Sequence, residues 1–388
     1  MKALSTVLLV WLACFSLAVF AHESLALQSD LAVSVAFDAA GNVWRVGVNA
    51  GVVQVDVSRD LAKTFSKPVT ISSPIQPTVL GDVADKNIQP QITIGHDGNI
   101  YVVWTEASSN ASAGAILFSR SVNGGKSFEK PVIVSKEHTK AVTLNVAPNG
   151  KVTLIWQVAT GSDVPEAIDY AVSANGGASF ESAQKLADGG SVCGSISTAN
   201  KPDGTVTAMW QHQFDNGERD YILAEIPAVA NQPPVIKRAT YEHGKTDACA
   251  EGGSALAVGG VGMDWWGYHM AYFSGNLKKP GLYYSRMDGV AWASSPAKRF
   301  GNHQLQAGQP AMLSLGDSVW LVWREVEGKN NQILGMFSDD GGKSWQDAKV
   351  LASTADQAGY PQLIAQGKQV YLAWSTQQEG FRLIALPM

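Results

Sequence analysis

The sequence predicts an all-β protein made of repeated four-stranded units, and three observations support this. Glycine is frequent, at 38 of 388 residues, which indicates many tight turns. One pattern recurs: a strand, a polar turn, a second strand ending in an aromatic residue, a third strand and a Ser/Asp/Asn/Gly turn. Four strands in a period near 50 residues predict a β-propeller. The second-strand aromatic residues are Trp104, Trp156, Trp210, Tyr272, Trp323 and Trp374.

Seven such units are predicted, so one ring at residues 22–388 replaces the two or three domains that the length suggests. The last unit has only three strands before the chain ends. We expect residues 22–29 to supply its outer strand, because closing the ring removes an unpaired edge. Merging the first and last units would give six blades instead. The units lie near residues 31–75, 89–136, 142–187, 193–238, 253–300, 310–352 and 361–388.

Residues 1–21 have the features of a secretory signal peptide. Lys2 precedes an apolar run, and small residues lead up to a predicted cleavage site after Ala21. The mature chain is expected to begin at His22 and to be periplasmic or secreted. A retained membrane anchor and lipid attachment at Cys14 are the alternatives. No later segment is apolar enough to predict a membrane span after signal removal.

Composition excludes several classes of function. The formal net charge is −5, so the chain has no basic excess for the phosphate contacts of a nucleic-acid-binding protein. Three cysteines exclude a disulfide-dense scaffold or a cysteine-rich metal site. No cofactor is indicated.

Three units carry an eight-residue turn with a pair of glycines after the third strand. The Asp or Asn side chain is expected to cap backbone N–H groups, the glycines to allow positive φ, and the final aromatic residue to pack under the turn. Ser58–Phe65 is a weaker copy without the glycine pair, and Ser285–Trp292 is degenerate. The positions are Ser121, Asn123, Gly125 and Phe128; Ser173, Asn175, Gly177 and Phe180; and Ser338, Asp340, Gly342 and Trp345.

These turns resemble the Asp box, or BNR repeat, of the sialidase-like propellers, and the resemblance covers essentially the whole mature chain. It implies that the turns serve structure, on the face opposite an active site. In the enzymes of that superfamily, three arginines bind a carboxylate. A tyrosine activated by a glutamate attacks the sugar, and an aspartate acts as acid. The weak candidates here are Arg219, Arg238, Arg324, Tyr241 and Glu242, with Arg299 and Tyr360 also considered.

The chain lacks the Arg-Ile-Pro motif that this family normally carries in its first blade. The sequence therefore favours a non-catalytic binding or assembly scaffold, which recognises a protein, a peptide or a glycan at the mouth of the ring. An exo-α-sialidase-type hydrolase is the alternative, and a periplasmic metal-handling protein is the second alternative.

The mouth is expected where loops leading into first strands meet loops that follow second strands. Such loops carry mixed charge here, which suits a ligand or partner site, although solvated loops would look the same. The expected ligand or partner face comprises Glu106, His212, Glu218, His243, Glu251, His303 and Glu325.

Cys193 and Cys249 precede the first strands of adjacent units. Equivalent positions in neighbouring blades are close in space, so a disulfide is expected in an oxidising compartment. The rivals are a soft-metal site with His243 and His212, or two reactive thiols. Exported Asp-box propellers that the chain resembles have extra cysteines and a histidine pair in these loops. Their absence here argues against a metal, and none is expected.

Overall fold

The protein is a seven-bladed β-propeller, as the sequence predicts. In the computed structural model, seven antiparallel blades form a ring around a central axis. Among the described residues, no helix has the length and apolar character needed to cross a membrane. The structure describes residues 31, 33–49, 51–72, 89–107, 114–158, 166–190, 195–228, 232–245, 253–262 and 265–387.

Each blade is a meander in which consecutive strands pair, from the axis outward. Blade 1 comprises β1 Ser34–Phe37, β2 Val43–Asn49, β3 Val52–Ser58 and β4 Val69–Thr70. Blade 2 comprises β5 Gln91–Ile94, β6 Ile100–Ala107, β7 Gly114–Ser121 and the first part of β8 Val132–Val146. Blade 3 comprises the rest of β8, β9 Val152–Val158, β10 Glu166–Ser173 and β11 Gln184–Gly190.

The remaining blades follow the same order. Blade 4 comprises β12 Ser197–Asn200, β13 Val206–Gln213, β14 Arg219–Ile226 and β15 Val235–Arg238. Blade 5 comprises β16 Ser254–Gly262, β17 Trp265–Ser274, β18 Gly281–Asp288 and β19 Lys298–Phe300. Blade 6 comprises β20 Gly308–Leu315, β21 Ser318–Glu327, β22 Asn330–Ser338 and β23 Lys349–Thr354. Blade 7 comprises β24 Gln362–Gln366, β25 Gln369–Thr376 and β26 Gly380–Ala385.

The ring has two distinct faces. The face that carries the loops between second and third strands, and the loops from one blade to the next, is called the top face. The bottom face carries the eight-residue turns. Two links make blades 2 to 4 one continuous sheet: β8 runs from blade 2 into blade 3, and Gly190 of β11 bridges to His212 of β13.

Large aromatic side chains fill the seams between blades. The six second-strand aromatic residues are at most 2% exposed, so they belong to the core and cannot stack against a sugar. Trp104, for example, packs in one cluster with valines of blade 1. Their regular spacing therefore reflects blade packing, as the sequence analysis assumed.

The eight-residue turns of blades 2, 3 and 6 share one set of hydrogen bonds. In blade 2, Gly125 N–H donates to Ser121 Oγ at 2.9 Å, and Ser127 N–H donates to Asn123 Oδ1 at 3.1 Å. Gly125 has φ of +75°. A Cβ on it would lie 2.3 Å from the Trp44 ring of blade 1, so glycine is required for space as well as for conformation.

Polar side chains stitch neighbouring first strands together near the top face. Gln91 Nε2 donates to Val142 O at 2.6 Å, and Gln91 Oε1 accepts from Leu144 N–H at 3.0 Å. Gln362 makes the equivalent pair of bonds to residues 33–35, with its Oε1 accepting at 3.2 Å. These bonds of Gln362 join blade 7 to blade 1 and so close the ring.

Several sequence predictions lie outside the described residues. They concern the signal peptide at residues 1–21, the outer strand at residues 22–29, the disulfide between Cys193 and Cys249, and the ligand-face residue Glu251. All of them stay predictions. Within the described part of blade 7, three strands are present, as the sequence analysis expected.

Candidate functional site

Seven of the predicted site residues meet on the top face between blades 4 and 5. They come from the end of β13, the start of β14, the end of β15 and the loop at residues 239–245 that leads into blade 5. We call this group the rim cluster. It comprises His212, Glu218, Arg219, Arg238, Tyr241, Glu242 and His243.

A buried carboxylate that the sequence analysis did not single out holds this region together. Asp220 is 2% exposed. Its Oδ1 accepts from Thr240 Oγ1 at 3.1 Å and from Glu242 N–H at 3.0 Å. Its Oδ2 accepts from His243 N–H at 3.2 Å and from Arg238 Nη2 at 2.5 Å. Four donors satisfy the charge, so this buried acid organises the loop around it.

The rest of the loop is anchored through backbone groups. Arg219 N–H donates to Gly244 O at 2.8 Å, and the Asn276 side chain donates to Glu242 O at 2.7 Å. His243 has φ of +54°, a left-handed conformation that a non-glycine residue adopts only where its surroundings impose it. Because the anchors are backbone atoms, the side chains of Tyr241 and His243 project into solvent. Tyr241 is 59% exposed.

Arg238 lies at the centre of a stack of rings. Its guanidinium carbon is 4.3 Å from the ring centre of Phe214 and 4.8 Å from that of Tyr241. On the far side of Phe214, the His212 ring packs edge-on at 4.6 Å. This stack fixes the plane of the exposed Tyr241 ring, because a guanidinium over an aromatic face is attractive.

The charge of Arg238 is matched by acids. Its Nη2 is 2.9 Å from Glu218 Oε2 as well as 2.5 Å from Asp220, and His243 Nδ1 lies 2.9 Å from the same Glu218 oxygen. Hydrogen bonds from His243 and Arg238 lower the pKa of Glu218 to about 2. Arg238 is therefore committed to internal pairs rather than available for a ligand carboxylate.

The Glu242 carboxyl is partly buried and lies beside a buried tyrosine. Burial raises the pKa of the Glu242 carboxyl, and the nearby charge of Asp220 raises it further. Its Oε2 is buried without a hydrogen-bond partner among the described residues. The Tyr272 hydroxyl lies beside the Glu242 carboxyl, and its pKa is raised by burial and by the Glu242 charge. Tyr272 is 1% exposed, so it cannot reach a bound ligand.

His212 lies deeper than the sequence suggests. Gly189 of blade 3 packs against its ring so closely that a Cβ there would be 2.7 Å from Cε1. Burial lowers the pKa of His212, so its ring is neutral near pH 7. Its Nδ1 is buried and has no hydrogen-bond partner within the described ranges.

The donor set of the rim cluster is a poor one for a metal ion. The ligand atoms of Glu218, Asp220 and His243 lie within 4.8 Å of one another. However, Arg238 Nη2 already binds both carboxylates, and a fixed positive charge at that point opposes a divalent cation. The expected absence of a metal here stays a prediction.

The candidate arginines other than Arg238 lie in three different blades, and each donates a hydrogen bond to a neutral partner in its own blade. The bonds are Arg219 to Gln213 Oε1 at 3.3 Å, Arg299 to Pro280 O at 2.6 Å and Arg324 to Asn331 Oδ1 at 2.8 Å.

The other predicted residues lie apart from the rim cluster. Glu325 is 6% exposed and accepts from Trp323 Nε1 at 2.8 Å and from Asn302 N–H at 2.7 Å, so it holds the loop before blade 6. His303 is exposed at the start of a short 3₁₀ helix in that loop. Glu106 is exposed near the end of β6, and Tyr360 is buried before blade 7.

Comparisons with known proteins resolve the fold but not the activity. Neither a family model nor a curated protein matches the chain. Solved structures do match. A polysaccharide lyase of family PL25, an ulvan lyase, is 12% identical with a TM-score of 0.58, over 94% of this chain and 93% of that chain. The GH93 α-L-arabinofuranosidase of Fusarium graminearum is 12% identical with a TM-score of 0.50, over 83% and 92%.

A Hadza microbial sialidase is also similar, with 12% identity and a TM-score of 0.49 over 94% of this chain and 66% of that chain. At these identities the likenesses show the fold alone. They agree with the fold that the sequence predicts.

Proposed function

We propose that the protein is an exported glycan-binding propeller and that the rim cluster between blades 4 and 5 is its binding surface. Two structural neighbours support the choice of ligand class, since one is described as an ulvan lyase and another as an arabinofuranosidase. Both names denote proteins that act on glycans. Export, to the periplasm or beyond, rests on the signal-like residues 1–21.

The observation that carries the proposal is the backbone-anchored loop at residues 239–245. It presents an exposed tyrosine ring whose plane is fixed by Arg238, beside the carboxylate of Glu218 and the imidazole of His243. A sugar ring offers C–H groups on one face and hydroxyls around its edge. An aromatic face with adjacent polar groups is complementary to both, and a pre-ordered surface lowers the entropy cost of binding.

Binding without catalysis fits the geometry better than a sialidase mechanism. A nucleophilic tyrosine has to reach the sugar and to be activated by a glutamate. Tyr272, the tyrosine beside Glu242, is buried, whereas the hydroxyl of the exposed Tyr241 donates to Arg238 O at 3.5 Å. An arginine that binds a substrate carboxylate has to be free of internal acids, whereas Arg238 is paired with Glu218 and Asp220.

Binding of oligosaccharides to residues 22–388 tests the proposal, first on a glycan array and then by calorimetry. We expect Tyr241→Ala to weaken binding at least tenfold, which corresponds to about 1.4 kcal/mol. The matched control is Val290→Ala, at an exposed position in the bottom-face turn of blade 5, which should bind like the wild type.

Two results would overturn this function. One is a folded protein that binds none of the arrayed glycans, or whose affinity is unchanged by Tyr241→Ala. The other is turnover of a fluorogenic sialoside by the wild type, which would establish the hydrolase alternative.

A further inference from the structure

Blade 1 lacks the large aromatic residue that the other six blades place in the later part of the second strand. The turns before the second strands align blade 1 with blade 2: Asp38 N–H donates to Asn42 O, as Gly95 N–H donates to Asn99 O. Counting from these asparagines, Gly47 occupies the position of Trp104.

This missing side chain leaves a cavity of about 330 Å³ in blade 1. The strand face that lines it is the one opposite the blade 1 valines packed against blade 2. The cavity therefore lies on the face of blade 1 that is turned towards blade 7, and its described lining residues all belong to blade 1. The described lining residues are Val33, Arg45, Gly47, Val48, Asn49, Gln54, Asp56 and Pro68.

On the second strand, the cavity lining is polar at a position that is apolar in the other blades. Arg45 takes the position of Val102 in blade 2, and it forms a two-point ion pair with Asp56, with Nε–Oδ1 at 2.9 Å and Nη2–Oδ2 at 2.6 Å. The pair is sheltered, since the side chains are only 25% and 14% exposed. A shielded ion pair in a seam that elsewhere holds tryptophan is unexpected if the seam serves packing alone.

Aromatic residues hold the ion pair in place. The Arg45 guanidinium carbon lies 3.8 Å from the ring centre of Phe65 and 5.6 Å from that of Phe381 in blade 7. The two rings pack edge to face. Arg45 is therefore fixed in orientation, with its charge cancelled by Asp56.

We propose that this cavity is a second binding site, for a neutral polyhydroxylated ring such as a monosaccharide unit. Its volume falls within the range of small-ligand pockets. Asp56 accepts from ligand hydroxyls, Arg45 and the amides of Gln54 and Asn49 donate to them, and Val33 and Pro68 contact carbon atoms. Because the ion pair has no net charge, the lining does not favour an acidic sugar over a neutral one.

The proposal does not depend on the rim cluster, which lies on different blades. The experiment is therefore run in the Tyr241→Ala background, which weakens binding at the rim cluster. Binding of D-glucose, L-rhamnose and L-arabinose is measured by saturation-transfer NMR, with D-glucuronate as the acidic counterpart of D-glucose.

The decisive variant is Gly47→Trp, which restores the residue typical of the other seams. We expect the Tyr241→Ala protein to bind at least one neutral sugar, and the added Gly47→Trp change to reduce that affinity at least tenfold while the fold is kept. D-glucuronate should bind no more tightly than D-glucose.

A second variant keeps the test valid if Gly47→Trp fails to fold. Gln54→Leu removes one lining amide, and it should weaken binding in the same way. The proposal is overturned if no neutral sugar binds, if binding survives Gly47→Trp or Gln54→Leu in a folded protein, or if D-glucuronate binds more tightly than D-glucose. None of these results would bear on the rim cluster.

Discussion

At the scale of single residues, buried ionisable groups in this protein hold particular segments in place. Asp220 does so for the loop before blade 5, and His269 does so in blade 5 itself. The His269 ring is fully buried, with Nε2 2.9 Å from Gly260 O and Nδ1 2.7 Å from the Tyr284 hydroxyl. The carbonyl can only accept, so Nε2 donates. Burial disfavours the charged ring, and in the neutral ring Nδ1 accepts from the tyrosine hydroxyl.

We therefore predict an acid-sensitive stability. Burial lowers the pKa of His269 to about 4 in the folded protein, against 6.5 in the unfolded chain. As the pH falls from about 6.5 to about 4, His269 binds a proton in the unfolded chain but not in the folded protein. The free energy of unfolding should fall by up to about 3 kcal/mol across this window. Urea denaturation at pH 7.0, 5.5 and 4.5 measures it.

The comparison variant is His269→Gln, which keeps a donor for Gly260 O but does not titrate. It should lose less stability than the wild type between pH 7.0 and 4.5. Parallel curves for the two proteins would show that His269 does not carry this dependence.

The sequence predicted the residues of the rim cluster better than the hydrogen bonds and ion pairs between them. Mixed charge in two loops on one face selected Glu218 and His243, whereas Arg238 and Tyr241 were selected as weak sialidase-type candidates. Asp220 was missed because it is one of several charged residues in the same stretch, directly after Arg219, and nothing in the local pattern shows that four donors converge on it. Likewise Tyr272 was assigned to the core, without its coupling to Glu242.

At the scale of elements, the eight-residue turn tolerates more sequence variation than its glycine pair suggests. Ser58–Phe65 lacks both glycines, yet Ala62 N–H donates to Ser58 Oγ at 2.8 Å and Thr64 N–H donates to Asp60 Oδ1 at 2.8 Å. These are the same bonds that the turn of blade 2 makes. Sequence alone marked this copy as weak, because it cannot show that the capping side chains enforce the turn without glycine.

The cost of that tolerance is backbone strain, which a substitution can measure. Leu61 has φ of +55° and is 49% exposed, so it gains little packing in return. Leu61→Gly should raise the free energy of unfolding by about 0.5 to 1 kcal/mol, because relief of strain exceeds the entropy cost of glycine. Gly124, with φ of +69° and open space around it, holds the same turn position in blade 2.

Thermal denaturation of a reciprocal pair tests this. Gly124→Leu should destabilise the protein by a similar amount. A stabilising Gly124→Leu, or a destabilising Leu61→Gly, would show that φ does not limit these turns.

At the scale of the whole molecule, the ring depends on contacts at the one seam where chain continuity does not join the blades. Blades 2 and 3 share strand β8, whereas blades 7 and 1 lie at opposite ends of the described chain. At both seams a glutamine side chain makes the same pair of hydrogen bonds to the next blade. Gln91 does so between blades 2 and 3, and Gln362 between blades 7 and 1. The number of blades was predictable from the repeat spacing, but the seam bonds were not, since they join residues more than 300 positions apart.

We predict that Gln362→Ala lowers the free energy of unfolding by about 2 kcal/mol, because it removes two hydrogen bonds. Gln91→Ala is the matched control, since it removes the same pair of bonds where β8 still links the blades. Hydrogen exchange should accelerate in β1 and β24 for Gln362→Ala, and not for Gln91→Ala. A greater loss of stability in Gln91→Ala would mean that ring closure does not rest on Gln362.

The anchoring of residues 239–245 also bears on how specificity could change. Glu242, His243 and Gly244 are tied down by their amide and carbonyl groups, to Asp220, Asn276 and Arg219. Replacing the exposed side chains of Tyr241 and His243 leaves every one of those ties intact. The protein thus carries a ready-made display segment, on which mutation or a randomised library can alter what is recognised without rebuilding the scaffold beneath.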